Sequence, residues 1–103
     1  MKRKIITGAL VALAAVLGAG TAHADPWQDD TFVKVLANYG ITFPSVRQAS
    51  RIGWGICGEA AHGDSMAQIT ADVMAATGLT ADLAQRVVWE AGFDYCPHTR
   101  VPF

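Results

Sequence analysis

The residues best equipped for chemistry in this chain of 103 residues are two cysteines, Cys57 and Cys96. They are not a C-x-x-C pair, and of the three histidines only His62 and His98 lie in the same part of the chain. A thiolate–imidazole metal site is therefore poorly supplied, and covalent haem attachment, which needs C-x-x-C-H, is excluded. A disulfide is the favoured use, a reactive thiol or metal pair the weaker one. Two cysteines allow only one pairing, and closing a loop of about 40 residues contributes roughly 4 kcal/mol in the chain-entropy picture.

The other chemical signals each have a plain alternative. Gly53-Trp54-Gly55-Ile56-Cys57-Gly58 satisfies G-x-G-x-x-G. A dinucleotide site needs a strand before that motif and a βαβ unit around it, and neither fits here. Close packing of a helix against its neighbour around the cysteine is the expected reason for the glycines, with a break or ligand groove as the rival. Arg47, Arg51 and Trp54 share helical spacing. They serve either as a cation–π cover for the core or as an interface anchor, Trp and Arg being enriched at binding hot spots. Trp89 and Phe93 precede Cys96 and are expected to pack around the bridge, an exposed patch being the alternative. His62, His98, Tyr39 and Tyr95 are the only side chains weighed as axial haem ligands. Ser45 and Ser65 sit where helix caps belong. Glu59, Glu90 and the aspartates are spread along expected helix surfaces, with no clustered pair. No catalytic set and no metal ligand set is expected, and the chain reads as non-enzymatic.

The elements that hold these residues follow from periodicity. Residues 1–24 carry Lys2, Arg3 and Lys4, an apolar run of about 14 residues, and Ala22-His23-Ala24. That pattern is a cleavable secretory signal, since a spanning helix needs roughly 20 apolar residues. The expected product is a single helical domain, residues 25–103. A first helix is expected from about Thr31 to Tyr39, capped by Asp29 or Asp30; Phe32, Val35, Leu36 and Tyr39 fall on its buried stripe. Ile41 to Pro44 is a linker. Ser45 caps a second helix reaching His62, with Val46, Ala49, Ile52, Gly53, Ile56, Cys57 and Ala60 on one face. Ser65 and Gln68 form a capping box for a third, whose stripe is Met66, Ile69, Val73 and Ala76. Thr80 caps a fourth, from Ala81 to about Tyr95, with Leu83, Ala84, Val87, Val88, Ala91 and Tyr95 on its main apolar face. Nothing reads as a strand. The expected fold class is all-α: a bundle of about four short helices stapled by Cys57–Cys96.

Composition bounds the partners. Three of the eight basic residues lie before position 25, leaving five against nine acids, a charge of −4 for residues 25–103. That excludes nucleic-acid binding through a basic surface and a polybasic membrane anchor. Of those 79 residues 38 are apolar, enough to fold, and too few residues for a second domain.

Four pieces of sequence together have a familiar order: Asp30-x-Phe32-x-x-x-Leu36-x-x-x-Gly40-Ile41, then Gly53-x-x-Ile56-Cys57, Gly63-x-Ser65, and Ala91-x-x-x-Tyr95-Cys96-Pro97. In them the chain resembles the small secreted proteins of mycobacteria and related actinobacteria, the domain of unknown function 732 family, over residues 29–97. The resemblance implies a secreted helical domain with its cysteines bridged, and no activity or catalytic residue. Gly55, Gly58 and Ala60 depart from the family pattern and put the regularity of the second helix in question.

The expected function is that of an exported binding or interaction module at the cell envelope or outside the cell, with Arg47, Arg51, Trp54 and Trp89 as its contact surface. The alternatives are a carrier of haem or another small apolar ligand, and a structural accessory of the envelope. No cofactor is required by the first reading, and its partner is a protein or small apolar ligand.

Overall fold

A computed structural model describes residues 4–5 and 25–96. Its elements are β1 (Lys4–Ile5), α1 (Pro26–Ala37), β2 (Ile41–Thr42), α2 (Val46–His62), α3 (Met66–Thr77) and α4 (Ala81–Asp94). The expected all-α bundle of four helices is present. The exception to the all-helical expectation is a two-residue parallel pairing, Lys4 with Ile41 and Ile5 with Thr42. Such a pair is too short to carry an alternating pattern that sequence could display. The rest of the expected leader lies outside the described residues.

α1 starts five residues earlier than expected. Proline is well tolerated at the first helical position because its missing N–H has no partner there anyway, so Pro26 opens the helix rather than delaying it. Gln28 closes the turn: its Oε1 accepts from the Asp25 N–H at 2.6 Å. Its Nε2 also donates to the Asp94 carbonyl at 2.8 Å, tying α1 to the end of α4. The buried stripe of α1 is narrower than expected. Phe32 and Leu36 are buried, whereas Tyr39 lies past the helix end and is exposed.

The other three helices keep their expected caps. Ser45 Oγ accepts from the Gln48 N–H, Ser65 and Gln68 exchange bonds in a capping box, and Thr80 Oγ1 faces the Leu83 N–H. Gly63 and Gly78 end α2 and α3 in the left-handed conformation, at φ 100° and 74°, which glycine adopts without a Cβ penalty. α2 runs unbroken through Gly53–Gly58, so the departures from the family pattern do not interrupt it.

α4 is the central element, packing against α1, α2 and α3. Ala84, Val87, Val88 and Ala91 are fully buried along it. They meet Phe32 and Leu36 of α1, Ala49, Ile52 and Ile56 of α2, and Ile69 and Val73 of α3 in one core. Cys57 and Cys96 are bridged, with Cα atoms 5.6 Å apart, so the bond joins the middle of α2 to the chain just beyond α4.

Candidate functional site

Three regions hold the residues that sequence singled out. The first surrounds the bridge. Tyr95, next to Cys96, is buried at the end of α4. Its ring meets the edge of Phe32 at 5.0 Å between centroids and the tilted Trp54 ring at 5.3 Å. Its hydroxyl donates to Asp29 Oδ1 at 2.6 Å. Burial above all, then the Asp29 carboxylate, pushes the Tyr95 hydroxyl far above the usual phenol range, so it stays a donor. The ring occupies the space where a Cβ on Gly53 would stand. The close-packing explanation of Gly53 is thus the observed one, and the partner is an aromatic ring from the end of α4.

Trp54 is half-buried on α2 against the core, with its indole Nε1 enclosed and unpaired. It acts mainly as cover for the core. No described residue stacks as a cation on it; among the described residues the cation–π contact joins Arg86 to Tyr39, with Cζ 4.2 Å from the ring centroid. The side chains weighed as haem ligands do not converge. Tyr95 is committed to Asp29, Tyr39 lies under Arg86, and His62 Nδ1 contacts Asp64 Oδ1 at 3.2 Å on the surface. His98 lies outside the described residues.

The second region is the exposed face of α4. Trp89 is 51% and Phe93 75% exposed, one helical turn apart. This corrects the expectation that both pack around the bridge. Their positions fall off the arc of Ala84, Val87, Val88 and Ala91, and the small space beside the cysteines is taken by Tyr95 and Trp54 instead. Arg47 and Arg51 are exposed on α2, and neither forms an ion pair with a described residue.

The third region was not expected. Glu59, Asp64 and Asp72 each offer a carboxylate oxygen, and those oxygens lie within 4.8 Å of one another. The expectation of acids spread over helix surfaces fails here, because the reversal between α2 and α3 folds three distant positions together. Gly63 produces that reversal. Its N–H bonds the Ala60 carbonyl at 3.1 Å, and the Asp64 N–H bonds the Glu59 carbonyl at 3.0 Å, the paired bonds of a Schellman motif. Asp64 is thereby carried back over the last turn of α2, and Asp72 faces it from α3.

Glu59 is the unusual member. It is 0% exposed, and neither carboxylate oxygen has a hydrogen-bond donor. Burial first, then Asp72 and Asp64, push its carboxyl up to about 9. A carboxyl in that state can donate to Asp72; an ionised one faces two like charges in a place that water does not reach. Asp94 is a milder case. It is buried with Oδ2 unpaired, and burial followed by Glu90 pushes it up to about 7. One sequence signal could have found Glu59: it lies seven residues after Ile52 and three after Ile56, on the apolar face of α2 rather than its surface.

Among the described residues no helix is long and apolar enough to cross a membrane. The family of proteins of unknown function DUF732 matches residues 28–98. An uncharacterised protein of Mycobacterium tuberculosis is 33% identical over 90 residues, covering 87% of this chain and 79% of its own length. An uncharacterised protein of Mycobacterium bovis is 36% identical over 92 residues, covering 89% and 82%. No solved structure matches. With the four expected sequence pieces inside the matched span, the chain belongs to the DUF732 family.

Proposed function

We propose that this protein is an exported, non-enzymatic binding module that engages a partner at the cell envelope or outside the cell. The observation that carries the reading is the pair of large aromatic side chains, Trp89 and Phe93, held out from a rigid helix whose opposite face is fully buried. Exposed aromatics on a packed element bind at little cost in conformational entropy and supply the apolar centre of protein interfaces. Arg47 and Arg51, exposed on α2 without an ion pair to any described residue, belong to the proposed contact residues. Trp54 contributes only its outer edge.

Export is supported by the leader-like pattern of residues 1–24. Cleavage after Ala24 removes β1 and leaves all four helices and the bridge, because α1 begins at Pro26. The lack of an expected catalytic role is supported by the use of Ser45 and Ser65 as helix caps.

The test uses the protein secreted by its own host, with a photoreactive amino acid in place of Trp89 or Phe93, or at exposed Asp82 as a control. Irradiation of intact cells should give one discrete crosslinked species from positions 89 and 93 that is absent from 82. Processing should expose Asp25 as the new N-terminus. Equal crosslinking from all three positions would refute the surface, and retention of the whole chain in the cytoplasm would refute export.

A further inference from the structure

Glu59 is a cost to this fold that the binding surface on α4 does not explain. A carboxylate removed from water needs a donor, a counter-charge or a proton. The acidic groups gathered around it are the carboxylates of Asp64 and Asp72, which as ions add repulsion. Among the described residues no lysine or arginine forms an ion pair with any of the three, and the His62 ring contacts Asp64 from the exposed side. The arrangement therefore has donor atoms of one kind, hard oxygens, converging from a helix end, a turn and a second helix. The innermost of them is fully buried, lacks any hydrogen-bond donor, and points at the other two.

We infer that Glu59, Asp64 and Asp72 form a binding site for a hard divalent cation, Ca²⁺ in the first place, at the reversal between α2 and α3. This inference is independent of the function proposed above. All-oxygen ligand sets favour Ca²⁺, Mg²⁺ and Mn²⁺ over the metals that prefer imidazole or thiolate. Three carboxylates from a helix end, a turn and a second helix suit the ion that tolerates irregular geometry, Ca²⁺. Ca²⁺ bonds oxygen at about 2.3–2.6 Å, so two ligands on opposite sides of one ion stand about 4.6–5.2 Å apart. The three oxygens, none more than 4.8 Å from another, lie within the span of such an ion's ligand shell. Mg²⁺, with bonds of about 2.0–2.1 Å, demands a near-ideal octahedron and dehydrates reluctantly. Asp72 is exposed and Asp64 half-buried, which leaves an entry path and room for water to complete the coordination. His62, bonded to Asp64, orients that ligand from outside the site, as groups around metal ligands commonly do.

The test is calorimetric titration of the disulfide-bonded protein from its own host, stripped with a chelator, against CaCl₂, MgCl₂ and MnCl₂. Thermal melting is measured in parallel. The expected result is saturable one-to-one binding of Ca²⁺, tighter than Mg²⁺, with a rise in melting temperature on adding Ca²⁺. Glu59→Gln and Asp72→Asn should each weaken binding on the order of tenfold or more, since even groups around a metal's ligands cost 10–100-fold when lost. Asp82→Asn, exposed at the start of α4, should bind as the unaltered protein does. Asp72→Asn alters an exposed residue, so it reports even where Glu59→Gln fails to fold. No saturable binding of any of the three ions overturns the inference and leaves a proton on Glu59 as the answer to its burial. Binding that survives both substitutions overturns it too, and a preference for Mg²⁺ overturns the choice of ion.

Discussion

Gly53→Ala sets two effects against each other with opposite signs. In a helix interior, replacing glycine by alanine is worth about 1 kcal/mol in favour of the folded state. Gly53 sits in the middle of α2, so propensity alone predicts a more stable protein. The added methyl, however, falls on Cε2 and Cδ2 of Tyr95. That ring is held on several sides. Phe32 and Trp54 lie against it, Asp29 binds its hydroxyl, and the next residue is bridged to Cys57, itself one turn from Gly53. Moving the ring far enough to admit a methyl breaks the hydroxyl bond and opens the aromatic cluster. Overpacking of a filled core costs about 1–3 kcal/mol, and a lost hydrogen bond to a charged acceptor about 1.5–3 kcal/mol. Against the gain of about 1 kcal/mol, the net is a loss of about 1.5–5 kcal/mol. For a domain of this size each kcal/mol is worth about 4–8 °C in Tm. Thermal unfolding followed by circular dichroism should therefore show a fall of at least about 6 °C. Adding Tyr95→Leu to Gly53→Ala should recover part of that loss relative to the sum of the two single changes, because the shorter side chain vacates the methyl's position. A Gly53→Ala protein that melts higher than the unaltered one would refute the argument and show that Tyr95 moves aside freely.

The other predictions concern the bridge and the titration of Asp94. Reduction of Cys57–Cys96, or Cys57→Ala with Cys96→Ala, should destabilise by about 2–5 kcal/mol; denaturant melts with and without reductant check this, and coincident curves would show a bridge without structural weight. Burial and Glu90 raise the Asp94 carboxyl in the folded state to about 7, so the folded protein holds a proton that the unfolded chain gives up near pH 4. Its contribution to stability is complete below about pH 4 and is lost as the pH rises through about 7, by on the order of 4 kcal/mol and at most about 1.4 kcal/mol per pH unit. Glu90 is the charge beside it; from α1, neutral Gln28 bonds the Asp94 carbonyl and Asp29 accepts from the neighbouring Tyr95 hydroxyl. Asp94→Asn should flatten that slope in the difference between two stability–pH curves, and an unchanged slope would show that Asp94 is ionised in the fold at neutral pH.

What could be read from sequence was governed by local rules. The Ser45, Ser65 and Thr80 caps, the glycine stops at 63 and 78, and the stripes Ile69–Val73–Ala76 and Ala84–Val87–Val88–Ala91 depend on spacing within one helix, and each stands in the structure. The pairing of the two cysteines needed no geometry because there was one choice. The errors arose where one element meets another. The expected start of α1 at Thr31 is five residues late because Pro26 opens the helix, and the partner of Gln28 lies 66 residues away on α4. Trp89 and Phe93 were assigned to the bridge by nearness in sequence, yet the space there is filled by Tyr95, which was weighed only as an apolar face residue and a haem ligand. Of the candidate surface, Arg47, Arg51 and Trp89 are exposed while Trp54 is largely absorbed by packing. The acid cluster joins positions 59, 64 and 72, a spacing with no helical period, so only the folded reversal reveals it.

The buried polar side chains can be ordered by what each is given in return for leaving water, and the order separates structure from function. Thr77 is fully explained. Its hydroxyl donates to the Val73 carbonyl at 2.6 Å and accepts the Leu79 N–H at 3.2 Å, so it stitches the end of α3 to the chain leading into α4. Asp94 is half explained: its backbone carbonyl anchors Gln28, while one carboxylate oxygen has no partner. Glu59 receives nothing from the protein at either oxygen, although glutamine at the same position would fill the same volume without the charge. A small domain whose core supplies only about 3–5 kcal/mol cannot carry an uncompensated buried ion, which costs several kcal/mol. Glu59 is therefore either protonated or bound to a cation. Both states relieve the charge, but they make different use of the neighbours. A proton needs one acceptor, and Asp72 suffices. A cation needs several oxygens arranged around a point, and the turn set by Gly63 brings Asp64 back over Glu59 as a third.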